Sequence, residues 1–111
     1  VVYKRQVASK FGVRGLTKAA ALELGHSGIR VNSIHPGGID TAMTRGAGLT
    51  EEERAREFAR YPIPRVGQPD EVANLVVFLA SDDSAFCTGG EYAVDGGASA
   101  GRVTPGLGEQ R

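Results

Sequence analysis

Ile29-Arg30-Val31-Asn32-Ser33-Ile34 runs into His35-Pro36-Gly37-Gly38-Ile39-Asp40-Thr41, and the reading of this passage decides the fold. Apolar Ile29, Val31 and Ile34 predict a short buried strand over 29–34, since parallel strands covered by helices on both faces are apolar along most of their length. Pro36 has no N–H to add to a ladder, and Gly37-Gly38 lets the chain turn and lets other atoms approach the backbone. In open parallel sheets, ligands gather beyond the carboxyl ends of the strands. The loop 36–41 is therefore expected to bind a ligand, although a Pro-Gly-Gly alone equally fits a plain strand-ending turn.

Outward from that passage, Val13, Leu16, Ala20 and Leu24 recur at helical spacing and predict a helix over 7–24. Its small residues Ala8, Ser9, Gly12, Gly15 and Ala19 would admit another backbone, and Gly25 and Gly28 flank its end as left-handed caps. Thr50-Glu51-Glu52-Glu53 matches a capping box and starts a helix expected over 51–60. Pro62, Pro64 and Gly67 then break the chain, and Pro69 suits the first position of the next helix. Val72, Leu75, Val76 and Leu79 form its amphipathic stripe, and Glu91 to Val94 is the last strand. There are no internal repeats, and the tail 98–111, Gly-rich with Pro105, has too little apolar content to pack by itself.

Helix, strand, long connection with helices, strand is one right-handed crossover of an α/β, doubly wound parallel sheet. The strands at 29–34 and 91–94 are expected side by side. The expected fold is the C-terminal part of a Rossmann-type sheet, incomplete, with one side of the first strand left as an open edge.

Composition narrows the function classes. In 111 residues, thirteen basic and thirteen acidic side chains cancel. A pI near 6.9 argues against a nucleic-acid or membrane-surface partner. Cys87 is the only cysteine, so no internal disulfide can form, and a reducing cytoplasm fits. No apolar run approaches a membrane span, and the first residues do not form a signal peptide. His26, His35 and Cys87 lack metal-ligand spacing, so no metal is expected. Cys87 has no basic sequence neighbour to make it a thiolate and reads as packing.

Val7-Ala8-Ser9-Lys10, the run from Asn32 to Thr41, and Val94-Asp95-Gly96-Gly97 occur in an order that resembles the second half of a short-chain dehydrogenase/reductase. The resemblance covers 7–97, whereas residues 1–6 do not continue the pattern and read as a foreign start. It implies an NAD or NADP cofactor, and a hydride passed between it and a carbonyl or secondary alcohol. A Gly-rich phosphate loop belongs to the family's first half, and no G-x-G-x-x-G occurs here. The family's Tyr-x-x-x-Lys places Lys10 as the lysine that holds the nicotinamide ribose and acidifies the tyrosine. Residues four apart share a helix face, about 6 Å between Cβ atoms, and an ammonium that close favours a phenolate over its ordinary pKa near 10.

The tyrosine position is occupied by Gln6, whose amide bonds but does not ionise. Tyr3 lies roughly on the same face, yet at 1.5 Å per residue it stands ~10 Å from Lys10 along the axis, too far to replace the acid. The family's active-site serine and asparagine precede the matched region, so of the usual four only Lys10 remains. By the same resemblance Pro36 and Gly37 shape the cofactor loop, the Ile39 backbone meets the nicotinamide carboxamide, and the Thr41 hydroxyl reaches the carboxamide or pyrophosphate. Residues 42–66, with Ala42, Met43 and Gly46-Ala47-Gly48, match the substrate lid or equally a surface loop. Arg54, Arg56, Arg60 and Arg65 read as a solvated helix face compensated by Glu52, four before Arg56, and by Glu57.

Asp95-Gly96-Gly97 matches a feature near the subunit interface, and glycine turn geometry explains most of it. Phe11-Gly12-Val13-Arg14-Gly15-Leu16 and His35-Pro36-Gly37 look like bacterial hydroxysteroid dehydrogenases, with 3-oxoacyl-carrier-protein reductases as the alternative. The parent is expected to be a homotetramer acting on a small molecule, and this chain alone to be inactive. The rival class is a non-catalytic pseudoenzyme or interaction module that kept the fold without the tyrosine.

Overall fold

The computed structural model describes residues 2–46 and 48–104, and of Val2, Tyr3 and Met43 only the backbone. Tyr3 as a substitute acid, Met43 and Ala47 in the lid, and the tail from Pro105 onward therefore fall outside the described residues. In chain order the elements are α1 (Val2–Leu24), β1 (Ser33–Pro36), α2 (Ala42–Arg45), α3 (Glu51–Phe58), α4 (Pro69–Ala80) and β2 (Glu91–Val94). The chain forms two compact units, the first Val1–Ile34 with Leu75–Tyr92, the second His35–Asn74 with Ala93–Arg111.

β1 and β2 pair directly. Ser33 N–H donates to the Gly90 carbonyl at 3.0 Å and Gly37 N–H to the Val94 carbonyl at 2.9 Å, so the strands run parallel. β2 lies where the sequence predicts it, but β1 begins at Ser33 and not at Ile29. Side chains supply the reason. The Val31 N–H donates to Thr88 Oγ1 (3.0 Å), and Asn32 Nδ2 donates to the Cys87 carbonyl (2.8 Å). The Arg30 guanidinium reaches Ser84 Oγ at 3.0 Å, the Ser81 carbonyl at 3.1 Å and the Cys87 carbonyl at 3.3 Å. Residues 30–32 thus clamp the 81–90 segment mainly through side chains, with one backbone bond from the Gly89 N–H to the Val31 carbonyl (2.7 Å), before the regular ladder begins.

In the first unit, α1 is one 23-residue helix that starts five residues before the predicted 7–24. Lys4, Arg5 and Gln6 are straight-chain helix formers, and nothing among residues 2–6 breaks a helix. Its buried side also differs from the expected stripe. Leu16 is 70% exposed and Val13 50%, while Thr17 and Ala21 are buried. Ala21 faces Gly89, where an added Cβ would come within 3.4 Å. Arg14 and Lys18 flank that contact, pairing with Glu91 at 2.8 and 3.5 Å, and Lys18 also reaches the Gly89 carbonyl. After α1 a short 3-10 turn over Gly25–Ser27 ends at Gly28, which alone of the two flanking glycines is left-handed, with φ 75°.

In the second unit, α3 has the expected capping box. Thr50 Oγ1 accepts from Glu53 N–H at 3.1 Å, and the Glu53 carboxylate accepts from Thr50 N–H at 2.9 Å. The helix ends at Phe58, short of 60, with Ala59 as its cap. α4 starts at Pro69 as expected, and Glu71 Oε2 accepts the Gln68 N–H at 2.8 Å. Of the predicted α4 stripe, Val72 is half-buried in the second unit, while in the first unit Leu75 is half-buried, Leu79 is buried and Val76 is 47% exposed. Among the described residues no helix is long and apolar enough to cross a membrane.

Candidate functional site

The loop after β1 is an extended segment tied on alternate sides. Gly67 N–H donates to the Gly38 carbonyl (2.9 Å) and Asp40 N–H donates to the Gly67 carbonyl (2.8 Å), forming a parallel bridge around Ile39. Ile39 is buried, and a Cβ on Gly67 would come within 2.8 Å of its Cδ1. On the opposite edge the chain enters α2, a helix the sequence reading placed inside an undivided lid. Thr41 is its N-cap, and Thr41 and Thr44 form a reciprocal capping box. Thr44 N–H donates to Thr41 Oγ1 at 3.3 Å, and Thr41 N–H donates to Thr44 Oγ1 at 2.9 Å.

The two glycines are required for a reason other than ligand approach. A Cβ on Gly37 would lie 2.6 Å from Asp95 Cβ and 2.8 Å from its Cα. A Cβ on Gly38 would collide with the Phe58 ring. The close approach anticipated from Pro36-Gly37-Gly38 is thus made by the protein's own Asp95 and Phe58. Phe58 also packs edge-on against Tyr61, with ring centroids 5.2 Å apart.

Pro36, Gly37, Ile39 and Thr41 line one open hollow of about 420 Å³, with Thr44, Pro69 and Val72 completing its wall. The sequence reading missed the last three. Thr44 had a signal, the second threonine of Thr41-Ala42-Met43-Thr44, which repeats the N-cap-to-N3 spacing of a capping box. Pro69 and Val72 had none, because only the tertiary fold brings the first turn of α4 beside the loop. The wall is mostly apolar with one hydroxyl pair. Thr41 Oγ1 accepts the Thr44 N–H at 3.3 Å and lies 3.3 Å from the Thr44 hydroxyl.

Lys10 lies exposed on α1 in the first unit, and Gln6, also exposed, precedes it by one turn. The Ser9 hydroxyl donates to the Gln6 backbone carbonyl at 2.9 Å. Pro36, Gly37, Ile39 and Thr41 belong to the second unit, where the fold brings all four together.

Within the stretch 42–66, which holds α2 and α3, charges pair differently from the expectation. Among the described residues no Glu52–Arg56 pair forms. Arg54 instead reaches across to Asp40 Oδ1 at 3.8 Å, where Arg45 Nε also lies at 3.2 Å. Neither contact has hydrogen-bond geometry, so Asp40 Oδ1 is held by charge alone. Glu57 pairs with Arg102 at 3.4 Å, and that guanidinium sits over the Tyr61 ring. Arg65 binds Glu71 through two bonds of 2.9 and 2.7 Å. These, with the Gln68 N–H, hold the Glu71 carboxyl down at about 2.

Asp95 caps the turn that follows β2. Its carboxylate accepts from Gly97 N–H (2.9 Å) and Ser99 N–H (3.0 Å), and bonding to Ser99 is the main cause of its lowered pKa. Gly96 and Gly97 adopt φ of 62° and 87°, which side chains rarely allow, and Ile63 N–H donates to the Gly96 carbonyl. Cys87 is half-buried, and its bond to Tyr92 pushes that phenol's pKa up. Among the described residues no group of histidines, cysteines and carboxylates could hold a metal.

The family model described as enoyl-(acyl carrier protein) reductase matches residues 2–99. Cyclohexanol dehydrogenase of Acinetobacter sp. (strain SE19) is 54% identical over 90 residues, 81% of this chain and 34% of that protein. The 3-alpha-(or 20-beta)-hydroxysteroid dehydrogenase of Mycobacterium tuberculosis (strain H37Rv) is 53% identical over 94 residues, 85% of this chain and 34% of its own length. A solved structure of 4-hydroxyisoleucine dehydrogenase complexed with NADH superposes with a TM-score of 0.80 at 37% identity, covering 86% of this chain and 39% of that one. The chain belongs to the short-chain dehydrogenase/reductase family. It spans about a third of the length of these curated relatives.

Proposed function

We propose that this chain is the carboxyl-terminal part of a short-chain dehydrogenase/reductase that passes hydride between NAD or NADP and a small carbonyl or secondary alcohol. The observation that carries this reading is the hollow on which Pro36, Gly37, Ile39 and Thr41 converge. NAD(P)H bound there would supply the hydride. The loop would hold the nicotinamide end, with the Thr41 hydroxyl donating to the carboxamide. Lys10 would hold the ribose hydroxyls by charge and hydrogen bonds. In the chain as it stands no phenol occupies the position one turn before Lys10, and the Gln6 amide has no proton to give at neutral pH. Substrate entry would be governed by the 42–66 lid.

A hydroxysteroid or related cyclic alcohol is the substrate class we favour, supported by the names of the relatives and by the segments around Phe11 and His35. A 3-oxoacyl-carrier-protein substrate is the alternative. The parent is proposed to be a cytoplasmic homotetramer, with 98–111 as a tail. The reading is tested by titrating the full-length protein with NADH and NADPH and following nicotinamide fluorescence. Saturable binding of one of them is expected, and absence of binding of both would sink it.

Gln6 favours a second reading, a pseudoenzyme that binds the cofactor without turning it over. Steady-state absorbance with a panel of ketones and alcohols separates the two. This 111-residue chain alone is expected to be inactive under either reading, and turnover above a Lys10→Ala control would contradict both.

A further inference from the structure

The cofactor loop is an extended strip whose alternate residues face opposite supports. Gly38 and Asp40 bond to Gly67. Ile39 and Thr41, which line the hollow, bond to a single side-chain atom, Thr44 Oγ1. That oxygen lies 2.7 Å from the Ile39 carbonyl and 2.9 Å from the Thr41 carbonyl, and accepts the Thr41 N–H at 2.9 Å. Its one proton can serve one carbonyl at a time, and the shorter bond goes to Ile39. Thr41 Oγ1 is in turn fixed by Thr44, through its N–H at 3.3 Å and its hydroxyl at 3.3 Å. One half-buried threonine therefore sets both the backbone at 39 and the rotamer at 41.

From this geometry we propose that Thr44 is a positioning residue for the nicotinamide end of the cofactor. The proposal rests on the cofactor reading above. Thr44 holds the two groups that face the hollow, Ile39 and the Thr41 hydroxyl, at the spacing a carboxamide needs, and adds little to grip on the rest of the dinucleotide. A valine keeps its shape but leaves the Thr41 N–H and the Ile39 carbonyl without their partner, so the strip can shift by the fraction of an ångström that matters for orientation. Serine keeps the hydroxyl.

The test uses the full-length protein and two probes, NADH and ADP-ribose, with affinities from calorimetry and the bound nicotinamide followed by its fluorescence. Thr44→Val is expected to weaken NADH roughly tenfold, the effect of one well-made hydrogen-bond system, and to leave ADP-ribose unchanged. Thr44→Ser should restore NADH affinity and fluorescence. Retained ADP-ribose binding certifies that the variant is folded, and Thr44→Ala gives the same comparison should the valine variant not fold. Unchanged NADH affinity in both hydroxyl-free variants would overturn the proposal alone. Equal weakening of NADH and ADP-ribose would overturn it too, by showing a merely structural role. Unsubstituted protein that binds neither probe overturns the cofactor reading and this proposal together.

Discussion

Gly37 and Gly38 show how far a residue's chemistry depends on what the fold sets beside it. Asp95 and the Phe58 ring occupy the space that a Cβ would need at these positions. Gly37→Ala is expected to destabilise the full-length protein by about 1–3 kcal/mol, the usual cost of overpacking, since its Cβ meets backbone that cannot swing away. Gly38→Ala should cost less in a Phe58→Leu background, because the colliding atoms belong to a side chain. Urea denaturation of the unsubstituted protein, the three single variants and the Gly38→Ala/Phe58→Leu double variant checks both expectations, and additive losses would contradict the second. Gln6 is the other decisive residue. Gln6→Tyr is expected to raise turnover by roughly 10²–10⁴-fold, the range for general acid–base catalysis, with little change in cofactor affinity. Equal turnover in the two forms would show that the acid lies elsewhere.

At the scale of elements, the start of α4 is tied down by charge. Arg65 and the Gln68 N–H both bond Glu71, whose carboxyl falls from 4.5 to about 2 as a result. A carboxylate with a lowered folded value contributes stability that is complete above 4.5 and is lost as the pH falls from there toward 2. Melting temperatures between pH 6 and 2 should therefore decline less steeply in Glu71→Gln than in the unsubstituted protein. An identical acid slope would remove the pair from the account. Both side chains are half-exposed, so added salt should shrink the difference. Glu91 behaves alike on a smaller scale, lowered first by Arg14 and helped by Lys18, and it joins α1 to the strand that it faces.

On the scale of the whole molecule, the first unit leaves much apolar surface uncovered. Phe11, Leu16 and Leu22 on α1 and Val77 and Phe78 on α4 are exposed, as is Phe86. Such surface is typical of helices that pack against further chain or further copies. The full-length protein is expected to elute as a homotetramer in size-exclusion chromatography with light scattering. Leu16→Glu and Val77→Glu should each shift it toward smaller species while leaving each protomer folded by circular dichroism. A monodisperse monomer for the unsubstituted protein would contradict the proposed assembly.

Several elements were legible in the sequence because their signals are local. The α3 capping box, Pro69 at the head of α4 and the β2 run at 91–94 each depend on a few adjacent residues whose backbone preferences agree. The family, too, could be read from ordered short motifs. What required the tertiary structure were distant partners. β1 starts late because Arg30, Val31 and Asn32 bond to residues more than fifty positions away. The buried side of α1 is chosen by Gly89 and Glu91, which no helical periodicity can announce. The hollow obtains Pro69 and Val72 from a helix thirty residues past the loop, and Gly37 owes its missing side chain to Asp95. Local propensity determined which elements exist; packing between residues remote in sequence decided their ends, their buried faces and the wall of the site, because those contacts have no sequence neighbour to encode them.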